Sequence, residues 1–237
     1  MSFGSRYKAT DRMSDLIADN FMLLMVVSRF GIKLGIGDLT VGELCRRHNV
    51  DCDTFLAVAN FISSDQSSYT TDDLPQFSLT SLIGYLQSAH SYFLGFSLPQ
   101  VRGRLEAALS GNVDANVSML ILKFYDQLVS EVAEHMDYEN KHVFTYVNQL
   151  LQGKLNRKYD IGKFARHHTQ MDERLSELKN IIVKYYPETV DNNQINSVLF
   201  DIFNCEQDLV SHRQVEDCLF VPAVTIVERR LRDGKKQ

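Results

Sequence analysis

Two histidines in this sequence are each followed, four residues later, by a glutamate. His135 and Glu139 lie in the stretch HMDYENKHVF, and His212 and Glu216 lie in SHRQVEDCLFVP. At about 100° per residue, this spacing leaves both side chains of a pair on one helix face, one turn apart. Imidazole nitrogens and carboxylate oxygens together favour a transition-metal ion, so the two pairs predict a metal site.

Two further histidines, His90 and His168, fall in the apolar stripes of two other predicted helices. Burying a neutral polar group without a partner costs on the order of 2–7 kcal/mol, and burying a carboxylate costs more. Four imidazoles and two carboxylates that converge from four helices would be satisfied by a pair of metal ions. A single tetrahedral zinc ion would leave some of these six groups unpaired, so we expect a dinuclear centre. This donor set is compatible with iron, manganese or zinc.

The third helix offers two adjacent histidines, and the register of its apolar stripe favours the second. His168 keeps the spacing of Phe164 and Leu175, whereas His167 falls about 100° away from that face. We therefore expect His168 to be the ligand that this helix contributes.

His142 is an alternative ligand on the second helix. It lies seven residues after His135, on the same predicted face but about two helical turns along the axis. The equivalent position of the fourth helix is the apolar Leu219. We therefore interpret His142 as a packing or supporting histidine beside the site, and its participation as a ligand stays an open alternative.

Four long segments carry apolar residues at spacings of three and four, which is typical of amphipathic helices. They begin near Thr80, Asp114 and Asp160 and after Asn193, and the first is expected to bend at Pro99. Short loops between such segments predict an all-α fold with an antiparallel four-helix bundle over residues 79–237.

The residues before the bundle predict a small helical domain over residues 1–63. A first helix is expected from Met13 to Val27, followed by the glycine-rich turn FGIKLGIGD. Thr40 is expected to cap a short helix, with Glu43 as its capping-box partner. The polar, serine-rich stretch SSDQSSYTTDDLPQFS follows, and we interpret residues 64–78 as a linker.

Composition excludes several other classes of function. The chain has 237 residues and a net charge of −5, with no concentrated basic surface for nucleic acid. The longest apolar run, residues 21–27, is far shorter than the ~20 residues of a membrane span, and no basic segment precedes it as in a signal peptide. The four cysteines have no CxxC spacing, so we expect a cytoplasmic protein.

The two His-x-x-x-Glu motifs resemble those of hemerythrin-like di-iron proteins of the repair-of-iron-centres family. HMDYE and SHRQVEDCLFVP are similar to the motifs of that family, and Pro222 matches the family's fourth helix. The resemblance covers residues 79–231 and implies a hemerythrin-like bundle that holds two iron ions, with the glutamates bridging them and an oxide or hydroxide completing the charge. The implied iron ligands are His90, His135, Glu139, His168, His212 and Glu216.

The first sixty residues are more weakly similar to the small helical domain that precedes the bundle in that family. There a pair of adjacent cysteines follows a phrase resembling GIKLGIGD, and this chain has no such pair. We therefore expect the N-terminal domain to be structural or partner-binding, with Cys45 packing as a small apolar residue and no thiol chemistry. Thr145 stands where the family usually has a proline in the second helix, a departure that affects only the shape of that helix.

The resemblance implies a stress protein that helps to repair iron–sulfur clusters damaged by oxidants or nitric oxide. Its partners would be damaged iron–sulfur proteins or another iron acceptor. Two alternatives stay open: a reductase of nitric oxide or dioxygen at the same centre, and a gas or redox sensor with a protein partner. Donation needs a labile iron, reduction needs an open coordination position and an electron donor, and sensing needs the partner.

Overall fold

A computed structural model describes residues 6–64, 74, 76–111, 113–156, 159–165, 171–187 and 191–234. Every regular element in these residues is helical, and the only β-type pairing among them is an isolated bridge between Arg12 and Thr40. The expectation of an all-α fold is therefore confirmed. Among the described helices, none combines the length and the apolar character that a membrane span requires.

The α-helices of the described residues, numbered in chain order, fall into long and short segments. They are α1 (Met13–Asp19), α2 (Leu23–Arg29), α3 (Val41–His48), α4 (Cys52–Ile62), α5 (Leu79–Tyr92), α6 (Leu98–Leu109), α7 (Ala115–Tyr138), α8 (Phe144–Leu151), α9 (Ile161–Ala165), α10 (Met171–Tyr185), α11 (Asn193–Val215) and α12 (Val221–Asp233). Three five-residue π turns, Phe93–Ser97, Glu139–Val143 and Glu216–Phe220, join α5 to α6, α7 to α8 and α11 to α12.

The chain forms two compact units. The first comprises Met1–Ala89, Phe144–Ala165 and Ser211–Gln237, and the second comprises His90–Val143 and Arg166–Val210. The division into residues 1–63, 64–78 and 79–237 stays a prediction. Most of the predicted linker, residues 65–73 and 75, lies outside the described residues.

The single first helix expected over residues 13–27 is wrong, because the chain forms two helices there. Asn20 ends α1 in an extended conformation, and its side chain accepts a hydrogen bond from the backbone N–H of Met22 at 3.0 Å. The Asn20 amide also donates to Ser63 Oγ at 2.9 Å. Local side-chain bonds of this kind compete with helical backbone bonds, so the apolar pattern continues while the helix does not.

The capping box expected at Thr40 is confirmed. Thr40 Oγ1 accepts from the backbone N–H of Glu43 at 3.3 Å, and the Glu43 carboxylate accepts from the backbone N–H of Thr40 at 2.8 Å. The glycine-rich turn before it needs left-handed backbone at Gly35, with φ of 89°, and at Gly37, with φ of 58°. Glycine adopts such angles without the steric cost of a Cβ atom, so the turn can close tightly before α3.

In the first unit, aromatic residues pack the N-terminal helices against the beginning of α5. The ring of Tyr85 lies 5.1 Å from the ring of Phe30, and the Arg29 guanidinium lies over Tyr85 at 5.8 Å from the ring centroid. Ser78 donates its backbone N–H to Thr54 Oγ1 at 2.9 Å. These contacts bury Arg29, whose charge is placed against an aromatic face.

A buried carboxylate organises the other end of the first unit. Glu228 on α12 accepts hydrogen bonds from the Tyr146 hydroxyl at 2.6 Å and from the backbone N–H of Ile161 at 2.9 Å. The second bond satisfies an N–H at the start of α9 that has no partner within its own helix. The carboxylate therefore ties α8, α9 and α12 together, and its burial has a clear structural cause.

In the second unit, α7 packs against α6 and α10. Asp114 caps α7 by accepting from the backbone N–H groups of Asn116 and Val117, as expected for its N-terminus. The Tyr125 hydroxyl donates to the carbonyl of Leu98 at 2.9 Å. The buried face of α7 follows the predicted spacing of three and four: Ile121, Tyr125, Leu128, Val132 and Met136.

The predicted face of the second helix is wrong at His142, within the π turn Glu139–Val143. Val143 is buried there and His142 is exposed. A π turn forms hydrogen bonds from residue i to i+5 rather than i+4, so it adds one residue to the turn. The prediction assumed regular α-helical spacing through this segment, and that assumption is wrong there.

The bend expected at Pro99 corresponds to the π turn Phe93–Ser97, which ends two residues before Pro99. Pro99 lies two residues after Ser97, the last residue of the first π turn, and Pro222 lies two residues after Phe220, the last residue of the third. Proline has no backbone N–H and is tolerated in the first turn of a helix. Both prolines occupy such positions, at the beginnings of α6 and α12.

Candidate metal centre

His90 and Glu139 meet in the interior of the protein. His90 comes near the end of α5, and Glu139 is the first residue of the π turn after α7. The Nε2 atom of His90 lies 3.1 Å from Oε2 of Glu139, and the two side chains are 2% and 0% exposed. A carboxylate at this depth must be neutralised or bound, because an isolated buried charge is strongly destabilising.

The same carboxylate contacts a second imidazole. His135 Nε2 lies 2.8 Å from Oε1 of Glu139, as expected from the spacing of four residues. The two oxygens of Glu139 therefore face different histidines, which is the arrangement a bridging carboxylate needs. The His135 side chain is 20% exposed, so it offers solvent a way to reach this part of the site.

The second His-x-x-x-Glu pair has the same local form. His212 Nε2 lies 3.2 Å from Oε1 of Glu216, and the two side chains are only 5% and 2% exposed. His212 belongs to the last turn of α11, and Glu216 is the first residue of the π turn that follows. Both glutamates therefore begin a π turn, four residues after their histidine.

The predicted ligands occur in both units. In the second unit, His90, His135 and Glu139 come together around the Glu139 carboxylate, and His90 and Glu139 are buried. In the first unit, His212 lies beside Glu216, and both are buried. The convergence of all six residues on one metal centre stays a prediction.

The geometry and the donor types fit a transition-metal ion. Divalent ions such as zinc bind nitrogen and oxygen ligands at about 2.0–2.2 Å, so neighbouring ligand atoms on one ion lie about 3 Å apart. The three His–Glu contacts, of 2.8, 3.1 and 3.2 Å, have that separation. Mixed imidazole and carboxylate ligands suit iron and zinc in particular.

The structure describes only one of the two remaining candidate ligands, His142 and His168. His168 and its rival His167 lie outside the described residues, although Phe164 and Leu175 on either side are buried in the predicted register. His142 is exposed, and its ring centroid lies 5.1 Å from that of Tyr138. The expectation that His142 packs beside the site is wrong, because the π turn at Glu139–Val143 rotates it outward.

Asn140 is a site residue that sequence reasoning missed. Its Oδ1 atom lies 3.1 Å from Nδ1 of His90. In a regular helix Asn140 would point about 100° away from Glu139, so nothing in the α-helical spacing connects it with the same histidine. The sequence feature that could have identified Asn140 is its position directly after the predicted ligand Glu139. The apolar pattern gives no indication of the π turn in this segment.

The cysteines form no disulfide among the described residues, and Cys45 is fully buried. Cys52 is half-buried, and six residues separate it from Cys45 in the sequence. Burial raises the pKa of the Cys45 thiol to about 12 and, to a smaller extent, raises the pKa of Cys52. The expectation that Cys45 packs as a small apolar residue is confirmed by its burial.

Comparison with known proteins agrees with this arrangement of ligands. Residues 82–224 match the family model of the hemerythrin HHE cation-binding domain. The matched range contains all six predicted metal ligands, from His90 to Glu216. The chain matches none of the curated proteins with which it was compared.

Proposed function

Since the chain belongs to the hemerythrin HHE cation-binding family, we propose that it is a non-haem di-iron protein that helps to repair damaged iron–sulfur clusters. The damage would come from oxidants or nitric oxide, and the protein would donate iron to the damaged protein or to another iron acceptor. One observation carries the proposal: the two oxygens of the fully buried Glu139 carboxylate face His90 and His135, at 3.1 and 2.8 Å.

In this proposal each residue has a defined task. Glu139 and Glu216 would supply carboxylate oxygens to the two ions, and their negative charges would be compensated inside the protein. His90, His135 and His212 would bind through Nε2, the nitrogen that faces a glutamate in each case. His168 would be the sixth ligand, and an oxide or hydroxide would complete the charge. The iron pair would supply exchangeable, redox-active metal.

Two features of the site support donation. The first is its composition, since neutral imidazoles outnumber carboxylates and each ion is held by few anionic ligands. The second is the unequal exposure of the ligands: His135 is 20% exposed, whereas Glu139 is fully buried. His135 is therefore the ligand whose movement would open the site to solvent, while the buried ligands would keep their positions.

The first test follows the transfer of iron from this protein to an acceptor. Protein loaded anaerobically with iron is mixed with a cluster-depleted acceptor protein and sulfide. Donation predicts that iron leaves this protein in proportion to the cluster that the acceptor regains. His212→Ala, which lacks a buried ligand, serves as the control and should transfer little iron.

A reductase would give the opposite result in a parallel reaction. Exposed to nitric oxide or dioxygen with a reductant, a reductase consumes the gas over many turnovers and keeps its iron. Sustained consumption with constant iron content would overturn the donor proposal and favour the reductase. A sensor would do neither, and would instead bind a protein partner in a manner that depends on the gas.

A further inference from the structure

Two consecutive residues hold the two ring nitrogens of one histidine. Glu139 Oε2 lies 3.1 Å from Nε2 of His90, and Asn140 Oδ1 lies 3.1 Å from Nδ1 of the same ring. His90 is buried and Asn140 is half-buried. Both nitrogens of the imidazole are therefore in contact with residues of the π turn that follows α7.

We propose that Asn140 is a positioning residue that fixes the tautomer of His90, so that Nε2 presents its lone pair to the metal. The inference rests on the proposed metal-binding function. A neutral imidazole carries one N–H and one lone pair, and a metal ion takes the lone pair. With Nε2 bound to metal, the proton resides on Nδ1, and that N–H needs an acceptor. The carbonyl oxygen of Asn140 is at hydrogen-bonding distance from it.

An amide suits this position better than the side chains that usually support metal-bound histidines. Carboxylates at such places increase the basicity of the ring and add negative charge. The predicted ligand set already contains two buried carboxylates, Glu139 and Glu216, so a third would raise its charge further. Asn140 accepts the Nδ1–H bond without adding charge, and it leaves the imidazole a neutral, moderately basic ligand.

The π turn is what lets two sequence neighbours reach one ring. Consecutive residues of an α-helix point about 100° apart, so Glu139 and Asn140 would not both face His90 in a regular helix. The turn Glu139–Val143 widens the helix by one residue per turn, and π turns of this kind are frequent at functional sites. The irregular backbone thus adds a supporting residue directly beside a ligand.

Two substitutions with opposite expected effects test the inference. Asn140→Leu keeps the size of the side chain but removes the acceptor, and should weaken ferrous iron binding roughly 10–100-fold in competition with a chelator. Asn140→Asp keeps the acceptor and adds charge, so iron is retained and the midpoint potential of the centre falls. Asn148→Leu, an exposed change on α8, is the matched control and should alter neither quantity.

A direct readout of the tautomer does not depend on iron. In protein labelled with ¹⁵N at histidine and loaded with zinc, His90 should show a protonated Nδ1, and Asn140→Leu should weaken or lose that signal. Unchanged affinity, potential and ring shifts in Asn140→Leu would overturn the inference. Failure of the unaltered protein to bind iron would instead overturn the proposed function, so the two failures are distinguishable. If Asn140→Leu does not fold, an unchanged potential in Asn140→Asp overturns the inference equally.

Discussion

The carboxylate of Glu139 is shared by His90 and His135, which approach its two oxygens from different helices at 3.1 and 2.8 Å. Replacing this one residue should therefore disturb both histidines, whereas replacing either histidine leaves the other contact in place. We expect Glu139→Ala to lose more bound iron than His135→Ala does, as measured by metal analysis after anaerobic loading. Equal losses would show that Glu139 does not bridge.

The iron content itself should depend on the second His-x-x-x-Glu pair. The unaltered protein is expected to bind about two irons per chain, as in di-iron helical bundles. His212→Ala or Glu216→Ala should reduce that number, since together they form the second buried His–Glu pair. His48→Ala, on the last turn of α3, is the control. The site assignment is wrong if all of these proteins carry the same amount of iron.

His167 and His168, the adjacent histidines of the third predicted helix, can be distinguished by substitution. Phe164 and Leu175 are buried, and the predicted register places His168 on the same face as these two residues. His168→Ala should therefore change the absorption spectrum of the iron-loaded protein far more than His167→Ala does. The reverse ranking would mean that this segment is rotated by about 100° from the expected orientation.

A proline should be tolerated at Thr145. Thr145 stands two residues after a π turn, as do Pro99 and Pro222. Such first-turn positions accept proline, whereas a proline inside a helix costs about 3 kcal/mol or more. In denaturant unfolding we expect Thr145→Pro to lose under about 1 kcal/mol and Asn148→Pro to lose at least about 3 kcal/mol. Similar losses for the two proline variants would show that Thr145 is not equivalent in position to Pro99 and Pro222.

The buried hydrogen bonds of Glu228 should contribute measurably to stability. Tyr146→Phe removes the hydroxyl that donates to Glu228 at 2.6 Å, and should lower the free energy of unfolding by about 1–3 kcal/mol. Glu228→Leu should cost more, because it also leaves the Ile161 N–H without its acceptor. Tyr185→Phe, which removes the hydroxyl of a tyrosine that is 71% exposed, is the control. A larger loss in the control would contradict the assignment.

The buried thiol of Cys45 should resist alkylation in the native protein. Burial raises the pKa of Cys45 to about 12, so at pH 8 roughly one molecule in ten thousand carries the reactive thiolate. Iodoacetamide should therefore label Cys52, which is half-buried, well before Cys45 in the native protein. Peptide mass spectrometry measures both rates, with urea-unfolded protein as the reference. Fast native labelling of Cys45 would show that the thiol is accessible and activated.

The sequence by itself determined the helical segments, the two ligand pairs and the caps, because these are local properties. His135 with Glu139, and His212 with Glu216, are brought together by the pitch of a single helix. The capping box of Thr40 likewise depends only on a side chain three residues away. Spacing along one chain segment is therefore enough to predict these contacts.

The tertiary structure decided the rest, and the π turns are the reason. In the π turn Glu139–Val143, Val143 is buried instead of His142, and Asn140 lies against His90. The buried role of Glu228 also depends on Tyr146 and on Ile161, which are distant in sequence. An apolar pattern records which residues avoid water, but a π turn forms only where packing against other helices compensates for its irregular hydrogen bonds.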